Sequence, residues 1–177
     1  MPKILFIPGS LRAASASRAT TRALIARFGE TAICEIADIG ALPHYNADMT
    51  DNPAVAAFVA QVRGADGVVF VTPEYNYSVP GVLKNAIDWA SRPAFASVFA
   101  GKPCAVVSVS GGALGGVRAQ AHLKYILMGM LAEVHACKEI VVPMANDRIK
   151  DGMLAEDTIL DFAMEQLQGF IARISKA

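Results

Sequence analysis

The sequence predicts an α/β domain built on a doubly wound parallel sheet, with helices on both faces. Three observations carry this reading. Short runs such as Ile4-Leu5-Phe6-Ile7, Val68-Val69-Phe70-Val71 and Ala105-Val106-Val107 are apolar without polar alternation, as in strands buried on both faces. Stretches with helical spacing separate these runs along the whole chain. Each strand-like run also stops at Pro, Gly or Ser, where a turn begins.

The elements follow in order. Lys3 to Ile7 is the first strand, ended by Pro8-Gly9, and Gly9 to Ser17 is a hydroxyl-rich turn. A helix is predicted from about Ser17 to Phe28, with Leu24 and Phe28 inward and Gly29 as its stop. Thr31 to Ile36 is the second strand, and Asp38 to Thr50 a loop. Asn52-Pro53 opens the next helix as cap and first helical residue. Val55, Phe58, Val59 and Val62 then form one buried stripe. Gly67 to Val71 is the third strand. The next helix starts near Pro80, buries Leu83, Ile87 and Ala90, and ends before Pro93. Cys104 to Val109 is the fourth strand, followed by the turn Ser110 to Gly116 and a helix from Val117 to Leu131. Ile140 to Val142 is the last strand, with a possible start near Val134, and Met144 to Gly152 is a loop. The final helix, Glu156 to Ile174, carries the stripe Leu160, Ala163, Leu167, Phe170, Ile171 and Ile174. Acids Glu156 and Asp157 at its start and bases Arg173 and Lys176 at its end complement the helix dipole. About five strands result, and residues 1–177 read as one domain without repeat or linker.

Composition narrows the function. Hydrophobic residues are 54% of the chain and charged residues 18%, above the apolar share of an average domain. No apolar run reaches the roughly 20 residues of a membrane helix, so the excess points to buried strands and a subunit interface. The apolar N-terminal stretch is too short for a signal peptide. A net charge of +0 without a basic cluster argues against nucleic acid. The 3 cysteines, Cys34, Cys104 and Cys137, are too dispersed for a disulfide framework or zinc site, and a cytoplasmic location is expected. His44, His122 and His135 are equally dispersed and read as structural, so neither a metal site nor a catalytic acid or base is assigned.

Polar and glycine-rich residues gather after the first, third and fourth strands. In the flavodoxin-type order 2-1-3-4-5 these strands are neighbours, and ligands bind beyond their carboxyl ends. Ser10, Arg12, Ser15 and Ser17 lie before a helix N-terminus, an anion site suited to a terminal phosphate. Taken alone, the same residues fit a serine-rich helix cap with a solvated arginine. The loop Pro73-Glu74-Tyr75-Asn76-Tyr77 could hold a planar heterocycle, or its tyrosines could cover the edge of the core. Ser110-Gly111-Gly112 would let a flat ring approach the backbone, or serve only a tight turn. The fingerprint G-x-G-x-x-G is absent, which weakens a dinucleotide reading and any ribose role for Asp38.

These residues resemble a known family. Gly9-Ser10-Leu11-Arg12 with Ser15, the run Pro73 to Gly81 (PEYNYSVPG) and Leu83 to Trp89 (LKNAIDW) are similar to the flavodoxin-like NADPH-dependent FMN reductases, which include bacterial chromate and quinone reductases and some azoreductases. Leu42 to Asn46 and Gly115 to Gln120 extend the resemblance over nearly the whole chain. It implies that Ser10, Arg12, Ser15 and Ser17 hold the FMN phosphate. Pro73, Glu74, Tyr75, Asn76 and Tyr77 would edge the isoalloxazine ring, and Ser110, Gly111 and Gly112 would face its other edge. Many members carry Asn where this chain has Ser17, whose shorter reach implies a looser hold. The implied reaction takes electrons from NADPH or NADH through FMN to a small acceptor such as a quinone, chromate, an azo compound or free flavin. The implied assembly is a homodimer or a tetramer of dimers. A flavin-binding electron carrier or sensor without nicotinamide turnover is the alternative, and the net charge of +0 offers such a carrier no charged docking face. Lys84, Asn85 and Asp88 read as shaping their helix.

Overall fold

The apolar runs do form one parallel sheet, and their lack of alternation has a simple cause. In the computed structural model, which describes residues 1–176, the elements are β1 (Lys3–Pro8), α1 (Ala16–Phe28), β2 (Ile33–Ile36), α2 (Pro53–Gly64), β3 (Gly67–Pro73), α3 (Gly81–Ala90), β4 (Pro103–Val109), α4 (Val117–Gly129), β5 (Glu133–Val134), β6 (Ile140–Val142), β7 (Ile149–Lys150), β8 (Met153–Leu154) and α5 (Asp157–Ile174). The sheet order is β2-β1-β3-β4-β5, with β6 also paired to β4, and every one of these pairings is parallel. Alternate side chains of each strand enter different cores. Ile4, Phe6, Val69, Val71, Ala105 and Val107 pack with Leu24, Phe28, Leu160, Leu167 and Phe170 of α1 and α5. Leu5, Ile7, Val68, Phe70, Cys104 and Val106 pack with Phe58, Val62, Leu83, Ile87, Leu123 and Leu127 of α2, α3 and α4. Both faces are therefore dry, and the period of two is invisible in hydrophobicity.

Local signals mark most boundaries. The Ser15 hydroxyl accepts from Arg18 N–H to open α1, and Asn52 Oδ1 accepts from Ala54 and Val55 N–H to open α2. Gly29 N–H donates to the Ile25 carbonyl and closes α1. Gly67 starts β3 directly beneath Phe170 and Ile174 of α5. A Cβ there would lie 2.6 Å from Phe170 Cζ and 2.9 Å from Ile174 Cγ2, so a side chain would force the helix outward.

Several expectations are corrected. The second strand begins at Ile33, because Gly29–Thr31 is a turn of 3-10 helix. Val55 and Val59 are only half-buried, so the α2 stripe narrows to Phe58 and Val62. α4 ends at Gly129, and Leu131 lies beyond it, 54% exposed in a left-handed conformation with φ 62°. The last strand is two pieces. His135 N–H still donates to the Cys104 carbonyl of β4 at 2.8 Å, and residues 136–139 then leave the sheet to meet α5, where His135 Nε2 donates to the Gln166 carbonyl at 2.9 Å and Lys138 N–H to Gln166 Oε1 at 3.2 Å. Met144 to Gly152 contains a 3-10 turn (Ala145–Arg148) and the first strand of the β7–β8 hairpin. Ile171 is only partly buried. Arg173 is held by Glu133 through bonds of 2.8 and 2.7 Å.

Candidate functional site

Parallel strands bring their carboxyl ends to one edge of the sheet, so the turns after β1, β3 and β4 meet there. Between them lies a cavity of about 330 Å³. Its first wall is the β1–α1 turn, with Ser10, Arg12, Ser15, Ala16 and Ser17. The second is Pro73, Glu74 and Tyr75, and the third is Val109, Ser110 and Gly111, with Asn146 from the turn after β6.

The serine wall is tied together by its own hydrogen bonds. Ser10, Ser15 and Ser17 are each at most 4% exposed. Ser15 Oγ and Ser17 Oγ are 3.2 Å apart, and Ser10 Oγ accepts from Arg12 N–H at 3.3 Å. Ser10 Oγ also meets the Tyr75 hydroxyl at 3.2 Å, which ties the first wall to the second. Arg18 Nε donates to the Ser10 carbonyl at 3.3 Å and steadies the turn from α1. Arg12 itself is exposed at the rim, and among the described residues its guanidinium has no ion pair or hydrogen bond. Hydroxyls and a free guanidinium at a helix N-terminus are a set of donors for an anion.

The second wall is a tight reversal. Tyr75 N–H donates to the Ser78 carbonyl at 3.0 Å, and Ser78 N–H returns the bond to Tyr75 at 3.1 Å. The central residues, Asn76 and Tyr77, have φ of 48° and 66°, the left-handed pair of a type I′ turn. Asn tolerates that conformation readily, whereas Tyr does so at a cost. The Arg118 guanidinium stacks on the Tyr77 ring at 4.4 Å and holds it in place. Asn76 and Tyr77 are thus at the turn's tip and are not part of the cavity lining. Gly112 also lies behind the lining, where its N–H donates to Ser110 Oγ at 3.1 Å and its carbonyl accepts from Met144 N–H at 3.1 Å.

Glu74 does two things. It lines the cavity, yet its carboxylate is taken up by the start of α4. Oε2 accepts from Arg118 N–H at 3.1 Å and Ala119 N–H at 3.4 Å, and Oε1 accepts from Arg118 Nη1 at 2.9 Å. The cap residue of α4 is Gly116, which has no side chain to offer, and the first turn of α4 carries no acid. Glu74 supplies that cap from another element.

Lys84, Asn85 and Asp88 shape the region as expected. Lys84 Nζ bonds Asp88 at 2.6 and 2.8 Å. Asn85 Oδ1 accepts from Tyr45 N–H at 2.7 Å, while Asn85 Nδ2 and Trp89 Nε1 donate to the Pro43 carbonyl at 2.9 and 2.8 Å. These bonds pin the loop after β2 against α3. His122 Nδ1 lies 3.0 Å from Ser78 Oγ, behind the turn. Burial pushes the Cys34 thiol up to about 11 and the Cys104 thiol up to about 12. Among the described residues no cluster of His, Cys, Asp or Glu could hold a metal ion, and no helix is long and apolar enough to cross a membrane. A larger hollow of about 460 Å³ runs from Met49 to Val59 against Trp89. It lies between the loop before α2, the first turns of α2 and Trp89 of α3, shares no lining residue with the first cavity, and its Asn52 Oδ1 is occupied in capping α2.

The sequence did not single out Ala16, Val109, Asn146, Arg18 or Arg118. Asn146 was within reach of the strand-end rule, since it follows the strand ended by Pro143. The partner of Arg118 lies 44 positions away and left no local signal.

Known proteins match this chain over nearly all of its length. Residues 2–147 match the family described as NADPH-dependent FMN reductase. The chain is 41% identical over 172 residues to an NAD(P)H-dependent FMN reductase of Pseudomonas aeruginosa, covering 94% of this chain and 91% of that one. It is 40% identical over 178 residues to a quinone reductase of Escherichia coli K12, covering 95% and 93%. Among solved structures, the flavoenzyme NAD(P)H:(acceptor) oxidoreductase FerB of Paracoccus denitrificans superimposes with a TM-score of 0.89 at 31% identity, covering 99% and 98%.

Proposed function

The chain belongs to the NADPH-dependent FMN reductase family, and from that premise we propose that residues 1–177 form a single FMN-binding domain whose cavity after β1, β3 and β4 is the flavin site of a cytoplasmic quinone reductase. It is an oxidoreductase with FMN as cofactor and NAD(P)H as co-substrate. One observation carries the site assignment: a buried hydroxyl cluster with a free guanidinium shares one cavity with a tyrosine wall and a glycine wall. A phosphate needs the first, and a flat ring needs the other two.

Acceptance of a hydride from the nicotinamide and delivery of electrons to the acceptor are the chemistry that FMN would supply there. The chain's own residues bind and orient. Ser10, Ser15 and Ser17 would donate hydroxyl hydrogen bonds to the phosphate, and Arg12 would face it from the rim. Pro73, Glu74 and Tyr75 edge the ring on one side, with Asn76 and Tyr77 shaping their turn. Ser110 and Gly111 form the other side, with Gly112 behind them. The acceptor is read as a quinone first, from the relatives at 40% identity, with chromate, azo compounds and free flavin as further candidates.

The subunit is read as half of a homodimer, alone or within a tetramer. On the outer side of α4, Ala121, Tyr125 and Met128 are exposed, Tyr125 at 80% and Met128 at 63%. An apolar helix side of this kind is ordinarily covered. The outer side of α3 adds little to it, since Val82 already packs in part against the core and Lys84 and Asp88 pair across the surface.

Purified protein that carries flavin should be yellow. Mixing it anaerobically with NADPH in a stopped-flow instrument should bleach the flavin absorbance, and a quinone should restore it. Flavin that binds but does not bleach with NADPH or NADH would leave a carrier rather than a reductase.

A further inference from the structure

The turn after β6 reaches the cavity from the side of α1. Its hairpin, β7–β8, is held on α1 by Arg22, whose Nε and Nη2 donate to the Gly152 carbonyl at 2.9 and 2.5 Å. The turn is also laced to the glycine wall. Ser110 N–H donates to the Val142 carbonyl at 3.0 Å, Ala145 N–H to the Ser110 carbonyl at 2.9 Å and Met144 N–H to the Gly112 carbonyl at 3.1 Å. Met144 takes φ 50° to allow this path. The next residue but one, Asn146, is thereby delivered to the cavity lining.

Its amide lies directly over Gly111. A Cβ on Gly111 would be 2.7 Å from Asn146 Nδ2, closer than carbon and nitrogen can approach. The missing side chain at 111 is what lets the amide lie there. Among the described residues, the Asn146 side chain makes no hydrogen bond, so its carbonyl and amino group are both available to a ligand.

On the flavin reading of this cavity, we propose that Asn146 is a further binding residue that holds the ribityl chain of FMN, with Gly111 clearing the space for its amide. A carboxamide accepts and donates at once. Phosphate oxygens ask only for donors, which the serine turn provides. The hydroxyls of a ribityl chain both donate and accept, and that chain must run from the serine turn to the ring walls. Asn146 arrives from the α1 side, beside the helix whose N-terminus bears Ser15 and Ser17. It shares the cavity lining with that helix start and with Ser110 and Gly111 of the ring wall, and so stands between them, where the linker passes.

Three flavins separate the contacts. FMN has phosphate and ribityl chain, riboflavin lacks the phosphate, and lumiflavin lacks both. Each is titrated by fluorescence quenching into wild type, Asn146→Ala, Gly111→Ala and the double variant. Asn146→Ala should weaken FMN and riboflavin by the same factor, about tenfold, and lumiflavin by less than about twofold. Gly111→Ala, which displaces the amide and also faces the ring, should weaken FMN and riboflavin at least as much and lumiflavin as well, and adding Asn146→Ala to it should cost little more. Since the Asn146 side chain has no protein partner, its loss should leave the melting temperature of the flavin-free protein unchanged. Unchanged FMN affinity in Asn146→Ala overturns the inference, as does an equal loss for lumiflavin. Wild type that fails to bind FMN would instead overturn the flavin reading itself, and the inference with it.

Discussion

Replacing Glu74 with alanine should weaken the fold as well as the cavity. The carboxylate closes the open N-terminus of α4 through two backbone bonds of 3.1 and 3.4 Å, and no residue of α4 can take its place. Loss of a helix cap costs about 0.5–2 kcal/mol, and each hydrogen bond to a charged group is worth roughly 1.5–3 kcal/mol before solvent competes. The side chain is 12% exposed, so competition at the carboxylate is limited. Arg118 is 42% exposed, and its side-chain contact adds no more than about 1 kcal/mol. Together these give a loss of about 2–3 kcal/mol for Glu74→Ala, or a fall of roughly 4–12 °C in melting temperature for a domain of this size. Urea unfolding of the flavin-free protein at one fixed concentration measures it, with an unchanged m value required. Glu74→Gln keeps a neutral acceptor for the backbone and should lose about half as much. Arg118→Ala should lose less than about 1 kcal/mol, because the backbone bonds persist. A Glu74→Ala loss below about 0.5 kcal/mol would refute the argument, since that is the range of an ordinary surface substitution.

Arg12→Ala should weaken FMN binding by at least about tenfold without altering the fold, and an unchanged titration would make Arg12 a bystander. FMN at about 100 times its dissociation constant should add roughly 2.7 kcal/mol of stability, read as a higher melting temperature. Met128→Lys should place two like charges near a two-fold axis and shift the protein toward monomer in light scattering across a dilution series; a wild type already monomeric at micromolar concentration would remove the interface. The raised thiols make a pH statement. With the Cys34 thiol up at about 11, only about one molecule in a thousand is thiolate at pH 8, so alkylation of native protein should be slow and quicken as pH rises. For Cys104, raised to about 12 from an ordinary value of 9.0, the folded state keeps its proton longer than the unfolded state. Stability should thus fall as pH climbs from about 9 toward 12, and Cys104→Ala should flatten that fall.

Much of the fold was legible because its causes are local. Continuous apolar runs, helix-spaced stripes and the caps at Ser15, Gly29 and Asn52 act over a few residues. They imply the strands, the helices between them and hence the parallel order. From that order alone, the turns at Ser10, Tyr75 and Ser110 had to share one edge of the sheet. The broken last strand was hidden, since it depends on contacts of the His135 ring and Lys138 N–H with Gln166 of α5, far away in sequence.

Within the cavity the division is the same. The residue types at 10–17 fitted an anion site or a serine-rich helix cap equally, and no local signal chose between them. Nothing local showed that Glu74 would cap α4, that Tyr77 would turn outward onto Arg118, or that Asn146 would lie over Gly111. Each of those outcomes is a contact between chain segments far apart in sequence. Their distances are set by how the helices pack on the sheet, and no spacing within a segment encodes them.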